Sequence, residues 1–177
     1  KEAGIHVSVF DKKDLESLNS IITPDSVFPN NWLATNSNGK LIIFPMLAPN
    51  RQLETQALPF IEGILKKENF KINENVILQK KDDEDVLEGT GSLILDHVNK
   101  VAYANLSKRT SENKVLEFCY LFDFKPIIFR AKSSKGVEFY HTNIVLSVGE
   151  GFAVLCEESI FDDEERLIVK EELQKNH

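Results

Sequence analysis

Two cysteines in 177 residues are too few for a disulfide framework, and they point to a reduced, cytoplasmic protein. Its four histidines, His6, His97, His141 and His177, show no metal-ligand spacing, so neither a metal nor an organic cofactor is expected. No apolar run approaches the roughly 20 residues of a membrane span, and no signal-peptide pattern opens the chain. Basic residues are in the minority, 21 against 28 acidic ones, for a net charge of -7. That balance argues against nucleic acid and anionic membranes as partners. An initiator Met is also lacking. Lys1-Glu2-Ala3-Gly4 reads as the end of a helix and Lys175-Asn176-His177 as the end of another, so N- and C-terminal modules are expected to be missing.

The remaining composition, 42% hydrophobic and 28% charged, is that of a globular protein long enough for one sizeable core or one large piece of a bigger domain. Acidic residues gather at 82–85 and 157–165 and read as solvated loop or helix-start charge. Cys119 falls in an amphipathic helix over 115–122, and Cys156 ends an apolar strand over 152–155. Both read as buried structural thiols, because a reactive thiolate wants an electropositive, partly exposed setting.

Periodicity divides the chain into three similar units. The first, near 28–80, has strands at 32–35 and 41–44 around Asn36-Ser37-Asn38-Gly39. A helix follows, firm over 59–68, with Phe60, Ile61, Ile64 and Leu65 on one face, and a strand at 76–78 closes the unit. Residues 51–58 form an earlier helical turn, since Pro59 would kink a continuous helix. The second unit, near 86–131, repeats the order. It has strands at 92–95 and 101–105, a helix capped by Ser111 with Val115, Phe118, Cys119 and Phe122 inward, and a strand at 127–129. The third, near 140–177, has strands at 144–148 and 152–155 around Gly149-Glu150-Gly151. Its helix starts at Asp162-Asp163-Glu164-Glu165 and presents Leu167, Ile168 and Leu173 as its apolar face. The class is α/β, built of repeated ββαβ modules.

Repeats of this kind stack openly or close around an axis, and closure would gather the residues preceding each first strand: Asn30-Asn31, Glu88 and His141. Taken alone, a Glu beside Gly-Thr-Gly is a turn residue and a His before a strand is structural. Equivalent position makes them candidates for one site. Arg51 and Arg109 likewise follow the second strand of units one and two, where two guanidinium groups could clamp a carboxylate by bidentate bonds.

The runs Thr23-Pro24-Asp25-Ser26-Val27-Phe28-Pro29-Asn30-Asn31-Trp32, Leu87-Glu88-Gly89-Thr90-Gly91-Ser92 and Tyr140-His141-Thr142-Asn143 resemble the arginine-deiminase-related, amidinotransferase-like branch of the guanidino-group-modifying (pentein) superfamily, near the citrulline-utilisation hydrolases. The resemblance covers essentially the whole chain. It implies a five-bladed pseudo-symmetric α/β propeller, of which about three modules are present, and a catalytic Cys in a last module outside this chain. It implies His141 as general acid/base, Glu88 as the carboxylate that holds the substrate's terminal nitrogens, and Arg51 with Arg109 as the grip on the substrate carboxylate. Two positions depart from arginine deiminase. Asn143 stands where that enzyme has Asp after its histidine, and Asn31 stands for a second Asp, with Asp25 as a competing alignment.

Both changes exchange an anion for a neutral amide with a donor and an acceptor, which suits a ureido or modified guanidino group better than a free guanidinium. The expected function is therefore thiol-dependent hydrolysis of a ureido or guanidino amino acid such as citrulline or arginine. Arginine deimination proper and a propeller that binds an amino acid without turnover are the alternatives. The expected partner is a small amino-acid substrate. A homodimer through faces exposed by missing modules is a further expectation.

Overall fold

The computed structural model describes Gly4, Val7 and residues 23–79 and 84–177. The helix end expected at Lys1-Glu2-Ala3, His6, and the start of the acidic run at Asp82 and Asp83 lie outside the described residues. In the first unit β1 (Leu33–Thr35) pairs antiparallel with β2 (Lys40–Ile43), and after α1 (Leu58–Lys67) strand β3 (Glu74–Ile77) returns parallel to β2. The second unit repeats this with β4 (Leu93–Asp96), β5 (Val101–Asn105), α2 (Glu112–Phe122) and β6 (Lys125–Phe129). The third pairs β7 (Leu146–Gly149) with β8 (Phe152–Leu155) and continues into α3 (Asp163–Asn176).

Local chemistry repeats along with topology. Asn36 in the first hairpin accepts the amides of Asn38 and Lys40 on its side-chain oxygen, and Asp96 accepts those of Val98 and Asn99 in the second. Pro49 opens a single helical turn to Gln52, a 3-10 stretch covers Leu53–Ala57, and Pro59 sits in the first turn of α1, where its missing N–H is harmless. Asp162 caps α3 by accepting the amides of Glu164 and Glu165 at 3.0 and 2.9 Å.

Two cores lie between units, while a third, of Trp32, Ile43, Met46, Ala57 and Ile61, lies within the first. The α2 residues Val115, Phe118 and Cys119 pack with Ala102 and Ala104 of β5 and with Ile42 and Phe44 of the first unit. The α3 residues Val169 and Leu173 pack with Val101 and Tyr103 of β5 and with Ile127 and Phe129 of β6. Strand β5 is buried along its whole length, and its alternate residues serve two cores, as a strand covered on both faces must. Lys114, also buried, reinforces the first junction by donating to the Leu78 carbonyl at 2.7 Å and to Glu117 at 2.8 Å.

Several expectations are corrected. The first strands begin at Leu33, Leu93 and Leu146 rather than 32, 92 and 144, because each is preceded by a short helical turn: Pro29–Asn31, Gly89–Ser92 and Thr142–Ile144. Leu167 and Ile168 face outward, since the i, i+4 pair Val169 and Leu173 turns a neighbouring stripe of α3 to the core. Cys156 is exposed. It continues the outward alternation of Phe152 and Val154 on β8 instead of joining the interior. Ser111 occupies the N-cap of α2, but its hydroxyl accepts the Val86 amide at 2.9 Å rather than an amide of the helix.

Candidate active site

The turn Gly89–Ser92 packs against both of the other turns that precede first strands, and two glycines permit it. Gly89 has a φ of +45°, and a Cβ there would lie 2.3 Å from the Asn30 carbonyl oxygen and 2.8 Å from that of Asn31. Only glycine meets both the sterics and the left-handed backbone. A Cβ on Gly91 would lie 2.7 Å from Cε1 and Nδ1 of His141, so the missing side chain is the seat of the imidazole. Asn30 and Thr90 close the first contact with a side-chain hydrogen bond of 3.1 Å.

Glu88 and His141 are both buried and bonded, His141 Nε2 to Glu88 Oε2 at 2.8 Å. Arg109 Nη1 donates to the same oxygen at 3.2 Å, and the Leu47 amide donates to Oε1 at 3.2 Å. Burial pushes the Glu88 carboxyl up, but the His141 bond, the Leu47 amide and the Arg109 charge together hold it below its ordinary value of 4.5. An ionised carboxylate only accepts, so the His141 nitrogen facing it carries a proton and Nδ1 lies over Gly91.

Hydroxyl groups beneath the site fix this geometry. Ser92 Oγ accepts the Glu88 amide at 3.0 Å and the Thr110 hydroxyl at 2.8 Å, and donates to the Arg109 carbonyl at 2.8 Å. Thr142 donates to the Ser92 carbonyl and accepts the Asn105 amide at 2.8 Å. The Asn105 side chain donates to the Phe139 carbonyl and accepts the Ala131 amide, both at 2.7 Å. The end of β5 thereby holds the head of the third unit in register with the second.

Glu88, His141 and Arg109 come together, and the backbone of Asn31 stands against Gly89 beside them. Asn31 itself is buried, whereas Asn143 and Asp25 are exposed on their turns. Arg51 is held differently from Arg109. It is buried and forks onto both carboxylate oxygens of Glu54 at 3.0 Å, with a further bond to the Phe28 carbonyl at 2.9 Å. Burial pushes the Glu54 carboxyl up, and the Arg51 fork draws it back. Neither thiol touches Glu88 or His141 among the described residues. Cys119 is buried under α2, where desolvation pushes it to about 11.

Residues that sequence reading passed over include Ser92, Thr110, Thr142, Asn105 and Glu54. Only Glu54 had a usable signal, its i, i+3 spacing from Arg51 in a helical stretch. A groove of about 880 Å³ between β1–β2 and β4–α2 meets the site only at Gly89 and Thr90, so chemistry rather than concavity locates the site. Among the described residues no group of three or more His, Cys, Asp or Glu could hold a metal, and no helix is long and apolar enough to cross a membrane.

Small mixed sheets in ββαβ order, together with the family match, place the chain in the guanidino-group-modifying (pentein) superfamily. The family model for N,N dimethylarginine dimethylhydrolase, eukaryotic, matches residues 1–177, and the chain belongs to that family. No curated protein matches the chain. Among solved structures, unliganded AgrE superposes with a TM-score of 0.66 at 18% identity, over 85% of this chain and 20% of AgrE. The N-terminal domain of ArgZ, a cyanobacterial arginine dihydrolase, gives 0.63 at 15% identity, over 85% of this chain and 51% of that one, in a cysteine-to-serine mutant bound to substrate. A dimethylarginine dimethylaminohydrolase adduct with a substituted pyridine gives 0.58 at 16% identity, over 81% and 53%. The chain thus spans about half the length of the ArgZ domain and of that hydrolase, and at these identities the likeness is one of fold.

The lowered Glu88 carboxyl carries a pH dependence. Its stabilising contribution is fully present above the ordinary glutamate value of 4.5 and is lost as pH falls through the lower folded-state value. Glu172, drawn down chiefly by its bond to Lys125, acts in the same direction. Urea midpoints measured from pH 6 to pH 3 are expected to fall below about pH 4.5. A Glu88→Gln variant should lose less across the same interval, and an equal loss would show that Glu88 does not contribute.

Proposed function

We propose that this chain forms part of a thiol-dependent hydrolase acting on the C–N bond of a ureido or modified guanidino amino acid. The observation that carries the reading is the buried carboxylate of Glu88 holding His141 at 2.8 Å and Arg109 at 3.2 Å. The family's name, dimethylarginine dimethylhydrolase, and the arginine dihydrolase among the fold neighbours fit that chemistry. The cysteine mutants used with substrate in ArgZ and with L-arginine in AgrE fit a sulfur nucleophile. Cys119 and Cys156 stand away from the Glu–His pair, so the nucleophile comes from outside these 177 residues, in a propeller that further modules complete.

The thiolate adds to the planar carbon of the substrate, giving a tetrahedral adduct. His141 protonates the departing amine as the C–N bond breaks, then takes a proton from the water that attacks the thio-intermediate and returns the thiol. Glu88 keeps the imidazole oriented and accepts hydrogen bonds from the substrate's terminal nitrogens. Arg109 answers the substrate carboxylate, and Arg51, forked onto Glu54, would have to leave that partner to join it. Asn31 and Asn143, neutral where a free guanidinium would call for anions, favour a ureido or alkylated guanidino group, with exposed Asp25 as the alternative anion to Asn31. A cytoplasmic setting suits a small amino-acid substrate.

The test is release of ammonia or alkylamine by the full-length protein from L-citrulline, N,N-dimethylarginine and L-arginine. Citrulline or dimethylarginine is expected to have the higher kcat/KM, and Asn31→Asp should move the ratio toward arginine by about tenfold, the scale of one charge-assisted hydrogen bond. A clear preference of the unmodified protein for arginine would sink the argument from the two asparagines, and no release from any of the three would sink the hydrolase.

A further inference from the structure

Glu88 has no open side. Its carboxylate is fully buried, with Oε1 taken by the Leu47 amide and Oε2 by His141 and Arg109. Oε1 keeps one acceptor site spare, but because the carboxylate is fully buried a ligand nitrogen reaches it only if a group covering it moves, and the three donors are the first candidates. The Leu47 donor is backbone, and the His141 ring is seated on Gly91 with a side chain only 7% exposed. Arg109 is different, with a side chain 35% exposed while its own backbone is pinned. The Arg109 amide donates to Ser107 Oγ at 3.0 Å, and its carbonyl accepts Ser92 Oγ at 2.8 Å. Only its head is at liberty to turn.

That head also lies over an aromatic face. The Arg109 guanidinium is 4.9 Å from the Tyr140 ring centroid, and Ser107 Oγ, which holds the Arg109 amide, donates to the Tyr140 carbonyl at 2.7 Å. Tyr140 is half exposed and its ring also lies 4.8 Å from that of His141. A cation leaving a carboxylate keeps part of its stabilisation if it stays stacked on such a ring.

We infer that Arg109 serves two partners in turn, sitting on Glu88 as a built-in guanidinium in the free site and moving to the carboxylate of an incoming amino acid, with Tyr140 as the positioning residue on which it turns. This rests on the hydrolase reading above and deepens it. A ligand with a free carboxylate draws Arg109 away and opens Glu88. A guanidino compound without a carboxylate must displace Arg109 unaided and is selected against.

The test measures dissociation constants of L-arginine and of agmatine, its counterpart lacking the carboxylate, for the full-length protein and for Arg109→Ala. Removal of Arg109 is expected to tighten agmatine at least fivefold while weakening L-arginine. Tyr140→Leu, at a half-exposed position, removes the ring that keeps Arg109 stabilised off Glu88 and should weaken both ligands by a smaller factor, with Tyr140→Phe restoring the original values. If Arg109→Ala weakens L-arginine and leaves agmatine unchanged, Arg109 is a fixed clamp and the alternation is wrong, with the hydrolase reading unharmed. If neither ligand binds the unmodified protein or the variants, the alternation falls, and the hydrolase reading stands or falls on release from citrulline and N,N-dimethylarginine.

Discussion

Glu88→Ala is expected to lower the unfolding free energy by about 3 kcal/mol and to reduce turnover by on the order of 10³-fold. The first figure follows from what the substitution strands. His141 and the Leu47 amide would remain buried beside an empty site with no acceptor in place of Oε1 and Oε2. Arg109 is one-third exposed and can turn to water, which keeps the loss at the low end of that for a broken buried pair. Glu88→Gln keeps one acceptor oxygen and turns the other into an NH2 that faces a donor, so it should cost about 2 kcal/mol. Urea denaturation of the two variants separates the cases, and an Ala variant as stable as the Gln variant would show that the buried donors find other partners.

Gly91→Ala is the sharper probe of geometry. The backbone there is ordinary, so the change adds one methyl group and no conformational strain. That methyl would stand 2.7 Å from two atoms of the His141 ring and 3.0 Å from a third. The ring must shift, and it cannot do so without lengthening its bond to Glu88. Turnover should fall about 100-fold, the scale of a misplacement near 1 Å, while stability falls by only about 1–3 kcal/mol. Comparing kcat with the urea midpoint checks this, and a variant with normal kcat would mean that the imidazole has more room than the glycine suggests.

The repeat was legible in the sequence because hydrophobic periodicity and hairpin signals recur in the same order. Asn36 and Asp96, which organise equivalent hairpins, are the kind of turn residue that a pattern reveals. Glu88 and His141 could be paired because each precedes the first strand of its unit. The helical turns that carry them were not legible, since a three- or four-residue turn has no period of its own. Nor was the fate of Arg51, because the fork onto Glu54 and the Phe28 carbonyl depends on burial that spacing does not encode. Hydroxyl contacts such as Ser92 with Thr110 join residues from different turns, and nothing in either run announces the other. The face of α3 was misjudged for a related reason: Leu167, Ile168, Val169 and Leu173 are all apolar, and only the neighbouring strands decide which of them go inside.

Strand β5, with Ala102 and Ala104 in one core and Val101 and Tyr103 in the other, has a consequence for cooperativity. The first unit keeps a core of its own around Trp32, but the second and third share their interiors with a neighbour, so their stability is a nearest-neighbour quantity, as in a one-dimensional array. Losing either flank bares one side of β5 and weakens a wall that the other flank also needs. The Glu88–His141 contact crosses the boundary between the second and third units, so it persists only while that boundary is shut. Assembly of the buried Glu–His pair and mutual support of these adjacent units are then one thermodynamic event.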